Sequence, residues 1–141
     1  MRRQGVLGIL VGVLLLCHAG CGGSGEVKGR TSPDRTIERT AFFLDLLRDR
    51  LDAPDFIPAQ DNALGMSAQL IREMLPFSMS KKLKSADARQ RAEPLVEQLR
   101  KTFDDEVYAP LMLPEPDFAR ARAGIEQCVT LTGQLGDLLG G

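Results

Sequence analysis

Histidine is all but missing from this chain: His18 is the only one, and it follows an apolar N-terminal run. Residues 19–141 therefore hold no imidazole to ligate a metal or a haem, or to carry protons in general acid–base chemistry. Cysteine is scarce as well. Cys17 and Cys21 stand close together near the N-terminus and Cys128 stands alone, so neither an internal disulfide nor a CxxC-type site is expected in the body of the chain. Serine-nucleophile motifs, phosphate-cradling glycine loops, dinucleotide fingerprints, the EF-hand spacing and the CxxCH haem signature are all absent. A surplus of positive charge is lacking too. Residues 21–141 carry 16 Lys and Arg against 19 Asp and Glu, a mixed and mildly acidic balance with no basic face to neutralise phosphates, which excludes nucleic acid as a partner.

The N-terminus carries the most specific signal. Arg2 and Arg3 precede an unbroken apolar run over 6–16 (VLGILVGVLLL), and small Ala19 and Gly20 come directly before Cys21. As a helix the run would span roughly 16 Å, about half the hydrocarbon thickness, which is short for a membrane span and right for a secretory signal. The stretch ending at Cys21 resembles the lipobox of bacterial lipoproteins, with His18 standing where Leu is usual. That resemblance implies cleavage before Cys21 and acylation of its thiol. Asp is the residue that holds such lipoproteins at the inner membrane. Gly22 stands in its place, so the resemblance implies the outer membrane, facing the periplasm. Cys17 fits less well, because Leu14 to Leu16 put no small residue before it. An ordinary signal cut nearby, releasing a soluble periplasmic or secreted protein, and an uncleaved anchor are the competing readings.

The expected organisation is a signal over 1–20, a lipidated Cys21 with a flexible tether to residue 31, and one domain over 32–141. Residues 22–30 (GGSGEVKGR) are too polar and glycine-rich to build a core; such a chain behaves as coil and reaches roughly 15–18 Å on average. Ser32 then offers a cap, Pro33 suits a first helical position and Asp34 complements the helix dipole. Ile37, Ala41, Leu44, Leu47 and Leu51 recur at helical spacing. Phe42, Phe43 and Leu46 widen that stripe, which predicts burial between two neighbours. Asp52-Ala53-Pro54 ends the helix, and Phe56 and Ile57 read as buried anchors of a loop over 54–60.

A second helix is predicted from Asp61 or Asn62, with Ala63, Met66, Leu70 and Met74 as its stripe and Leu64, Ile71 and Leu75 beside it, stopped by Pro76. Residues 77–84 read as a polar connection. Ser85 caps a third helix with Ala88, Ala92, Leu95, Leu99 and Phe103 inside, kinked or divided at Pro94. Three prolines in 109–116 predict an extended crossing segment. A last helix starts near Pro116 or Asp117 and turns Phe118, Ala121, Ile125, Cys128, Leu131, Leu135 and Leu138 to one side. No segment alternates with period two, so the fold class is all-α: a small bundle of about four amphipathic helices.

Within that frame each chemistry-bearing feature has a plain reading. Cys128 falls on an apolar stripe and reads as a buried small hydrophobe. Asp104-Asp105-Glu106 with Glu93 and Glu97 could hold a hard cation, but without histidine it reads as a solvated helix end. Met66 and Met74 read as core filling, Met79 and Met112 completing the set. Lys81, Lys82 and Lys84 form the one basic cluster, a solvated loop or a contact for anionic lipid. Leu111, Met112 and Leu113, flanked by prolines, either plug the bundle or form a partner contact. Gly133, Gly136 and Gly140 allow close helix approach or a frayed end.

The expectation is a non-catalytic, membrane-tethered helical lipoprotein of the cell envelope, serving as an interaction or scaffolding module with a protein partner. No cofactor, no metal and no nucleic acid is expected. The alternative is a bundle that holds a small apolar molecule between its helices, suggested by the excess of Phe42, Phe43, Phe56 and Phe77.

Overall fold

Three carboxylate or hydroxyl caps set where helices begin. In the computed structural model, which describes residues 32–140, Asp61 Oδ1 accepts from the Leu64 N–H at 3.1 Å, Ser85 Oγ from the Ala88 N–H at 3.2 Å and Asp117 Oδ1 from the Arg120 N–H at 3.0 Å. They open the second, third and fourth helical runs: α2 over 62–81, α3 over 86–111 and α4 (Phe118–Gly140). The first, α1 (Pro33–Arg50), starts differently. Ser32 occupies the cap position through its carbonyl, which accepts from the Thr36 N–H at 2.9 Å and from Thr36 Oγ1 at 2.8 Å. The expected signal, Cys21 and tether lie outside the described residues.

The first helix ends before Pro54 as expected, but Pro76 does not end the second, and hydrogen-bond register explains why. Proline lacks an N–H, and its ring collides with the carbonyl four residues earlier in an α-helix. α2 meets this by widening into a π-turn over Leu70–Met74, closed by the Leu75 N–H donating to the Leu70 carbonyl, and Pro76 follows immediately. α3 repeats the device over Phe103–Tyr108, closed by the Ala109 N–H on the Asp104 carbonyl, with Pro110 next. Residues 77–81 are therefore helical rather than a connection, and the segment over 109–116 begins as helix, Ala109–Leu111, before turning. Pro94 sits inside Ala86–Thr102 without dividing it. Pro94 and Gln90, whose carbonyl loses its helical donor, are both exposed, so the lost hydrogen bond falls on the solvent side of the helix.

The packing is a ring. α1 lies on α2 and α4, α2 lies on α3, and α3 lies on α4. Short links make consecutive helices antiparallel, an up-down-up-down bundle. Leu44, Leu47, Leu70, Ile71, Leu75, Leu99, Phe103, Leu111, Ile125 and Leu135 are wholly buried at its centre. Buried threonines bond back to the preceding turn: Thr40 Oγ1 to the Thr36 carbonyl and Thr132 Oγ1 to the Cys128 carbonyl, both at 2.7 Å. No strand occurs among the described residues, and none of their helices is long and apolar enough to cross a membrane.

Several core assignments need correction. Thr36 and Thr40, not Ala41, complete the buried stripe of α1. Phe42 is 61% exposed and Leu46 is exposed, so the wide apolar face of α1 is not sandwiched; Ile57 is 52% exposed as well. In α2, Ser67 and Ala68 are buried, whereas Met66 and Met74 are only half-buried. Each helix in a ring touches two neighbours over a limited arc, so apolar residues beyond that arc face water.

Candidate functional site

Cys128 is fully buried on α4, and burial pushes its thiol up to about 12. A thiol so shielded is neither nucleophile nor ligand at physiological pH. A maleimide-type reagent should leave the native protein unlabelled from pH 6 to 9 and label it stoichiometrically in denaturant, as read by intact mass. Rapid labelling of the native protein would contradict the buried position.

The acidic patch is divided among arginines. Asp104 receives Arg72 Nε at 2.7 Å and Arg100 at 3.4 Å, Glu97 pairs with Arg100, and Glu106 with Arg120 Nε at 2.8 Å. The hydrogen bond from Arg100 holds Glu97 below the usual carboxylate range, and that from Arg120 does the same for Glu106. Arg72 is the member that sequence reasoning missed. Its guanidinium also lies 4.2 Å from the centre of the Tyr108 ring and 5.9 Å from that of Phe103, clamping α2 to the π-turn of α3. Among the described residues no group of three Asp, Glu, His or Cys side chains is placed to hold a metal.

The strip Leu111-Met112-Leu113 is split. Leu111 is buried and closes the core, whereas Met112 and Leu113 are exposed. The chain reverses there, with the Met112 N–H bonded to the Tyr108 and Ala109 carbonyls and the Asp117 N–H to the Pro110 carbonyl. Of the two readings of this segment, the burial of Leu111 fits the plug, and Met112 and Leu113 remain outside the core. Of the glycines, Gly133 and Gly140 face open space and Gly136 has ordinary room. The close approach is at Gly124, which the sequence reading passed over.

A hollow of about 710 Å³ runs between α2 and α3, open to solvent rather than enclosed. Arg72, Arg89, Arg100, Glu93 and Glu97 line it together with Phe77 and Val96. Of the phenyl rings that suggested an interior apolar site, Phe77 borders this open hollow and is exposed, Phe42 is exposed on α1, and Phe43 and Phe56 are half-buried.

A second surface lies on α1 and the loop after it. Phe42 and Leu46 share a face four residues apart, Phe42 packs edge-on against Phe43 at 5.1 Å, and Leu46 and Ile57 line one shallow hollow of about 350 Å³. Asp55 lines the same hollow, and Asp45, Asp49 and Asp52 are exposed on the same helix or just after it, with Asp45 paired to Arg48, Asp52 to Arg122 and Asp55 to Arg50. Lys81, the last helical residue of α2, and Lys82 and Lys84 in the link to α3 are all exposed. No protein-family model, curated protein or solved structure matches this chain.

Proposed function

We propose that this chain is a lipid-anchored helical module of the bacterial envelope that works by holding a protein partner. The lipobox-like sequence before Cys21 supports the anchor and, with Gly22 after it, the outer membrane. The observation that carries the binding role is the exposed strip of Phe42, Leu46 and Ile57, left uncovered on a bundle that has core leucines to spare. Its setting defines the partner's chemistry. Its apolar centre suits a protein segment with apolar side chains, and Asp49, the one neighbouring aspartate not paired with an arginine of the bundle, suits a basic residue beside them.

Two changes test the two halves. Cys21→Ser should move the protein from membrane to soluble fractions; retention on the membrane would count against the anchor. Phe42→Ser combined with Leu46→Ser should leave the protein on the membrane and its stability within about 0.5 kcal/mol, since both sites are exposed. It should also abolish crosslinks formed in cells by a photoreactive residue placed at Asp49. Crosslinks that persist unchanged in the double variant would exclude the strip as the binding surface.

A further inference from the structure

The antiparallel order sorts charge along the bundle. The start of α1, the end of α2, the link over 82–85 and the start of α3 share one end, where Thr36 Oγ1 lies 3.4 Å from Ser78 Oγ. The chain that precedes residue 32 joins the bundle there. Lys81, Lys82, Lys84 and Arg89 are exposed at this end, and among the described residues none of them forms an ion pair. Elsewhere in the bundle Arg48, Arg50, Arg72, Arg100, Arg120 and Arg122 are paired with carboxylates, while Arg39 and Lys101 form no ion pair among the described residues. Of the carboxylates at or near the basic end, Asp34, Glu38, Asp87, Glu93 and Asp137, Asp87 is already neutralised by Arg91 at 3.0 Å, and Glu93 lines the same hollow as Phe77 and Arg89. The opposite end carries exposed Asp105, Glu115 and Asp117, which form no ion pair among the described residues, beside Asp52 and Asp55, which are paired with Arg122 and Arg50.

Phe77 completes the basic surface. It is 47% exposed, lies one helical turn before Lys81 and shares a hollow with Arg89. An exposed aromatic ring among uncompensated cations is the composition that settles into the headgroup boundary of an anionic bilayer.

We propose that this end of the bundle docks on anionic lipid headgroups, so that the anchored protein stands end-on with its acidic end and the Phe42 strip directed away from the membrane. The anchor reading enters only by supplying proximity: a tether of about ten residues, reaching roughly 15–18 Å, would hold the basic end near the surface. The axial charge separation would then orient it, attracting one end and repelling the other. Each cation contributes about fivefold to binding at such a surface, so reversing three lysines should weaken docking by more than about 100-fold.

The chain contains no tryptophan, so Phe77→Trp provides a single emitter at the proposed contact. The processed protein carrying this change would be mixed with vesicles of phosphatidylcholine alone or with added phosphatidylglycerol. Blue-shifted emission quenched by brominated lipid is expected only with the anionic vesicles, reversed by high salt. It should vanish when Lys81→Glu, Lys82→Glu and Lys84→Glu are added. No shift with anionic vesicles, an equal shift with neutral ones, or a shift that survives the three reversals would overturn the docking. Flotation with the neutral vesicles reports the lipid anchor separately. A protein that fails to float there contradicts the anchor, while its emission in anionic vesicles still decides the docking.

Discussion

Leu111→Ala should destabilise the bundle by about 2–4 kcal/mol, and Leu113→Ala, two residues away, should leave it within about 0.5 kcal/mol. The two leucines share one proline-flanked segment, so composition does not separate them. Position does. Leu111 is the last residue of α3, 1% exposed, and fills the end of the core, so truncation removes buried methyl groups and leaves a cavity. Leu113 lies past the chain reversal at Met112 and is 50% exposed, so truncation removes little from the interior. For a domain of this size the Leu111 variant should melt more than about 8 °C below the parent. Thermal and urea unfolding of the two variants would check the contrast; equal midpoints would place both side chains in solvent or both in the core.

Gly124→Ala should destabilise by about 2–3 kcal/mol, against the sign of helix propensity. Alanine in a helix interior is ordinarily favoured over glycine by about 1 kcal/mol. Here an added Cβ would lie 2.6 Å from the Glu106 carbonyl oxygen and 2.8 Å from its carbon, and backbone atoms cannot rotate aside. Glu106 is four residues before Pro110, so its carbonyl is the one that proline deprives of an α-helical donor. The π-turn of α3 makes room for the proline, and Gly124 lets α4 pass close to the displaced backbone. Gly133→Ala is the control: with open space around it, that change should be neutral or stabilising by up to about 1 kcal/mol. Adding Pro110→Ala to Gly124→Ala should recover part of the loss, because the carbonyl could then return toward α-helical register. A double-mutant cycle showing strict additivity would remove the link between the two sites.

Ser67 shows a smaller tension of the same origin. Its hydroxyl is buried on α2 and has no hydrogen-bond partner among the described residues. The threonines of α1 and α4 reach back to carbonyls on their own helices. Burial without a partner costs about 1–3 kcal/mol. The periodicity of α2 passed over this position because serine does not register in an apolar stripe.

The helical class, the cap at Ser85, the helix starts near Asp61 and Asp117, and the stripe of α4 through Ala121, Ile125, Cys128 and Leu135 were legible in the sequence. Each depends on contacts within one or two turns, where residue type and spacing suffice. The buried thiol followed from the same spacing, as Cys128 continues an apolar row. Other features were decided only by the tertiary structure. A proline removes a helical donor, yet Pro94 is accommodated within an α-helix at an exposed position, and Pro76 and Pro110 directly follow π-turns. A wide apolar face says that something could cover it, yet only the ring of neighbours decides that Leu44 is covered and Phe42 is not. Gly124 matters because the Glu106 backbone comes from another helix. The sorting of charge is the clearest case: Thr36 and Ser78 are far apart along the chain and meet only when α1 and α2 pair antiparallel, which brings the lysines after Ser78 to the end where α1 begins. Local chemistry is short-ranged and so can be read along the chain, whereas exposure and proximity belong to the packed assembly of all four helices.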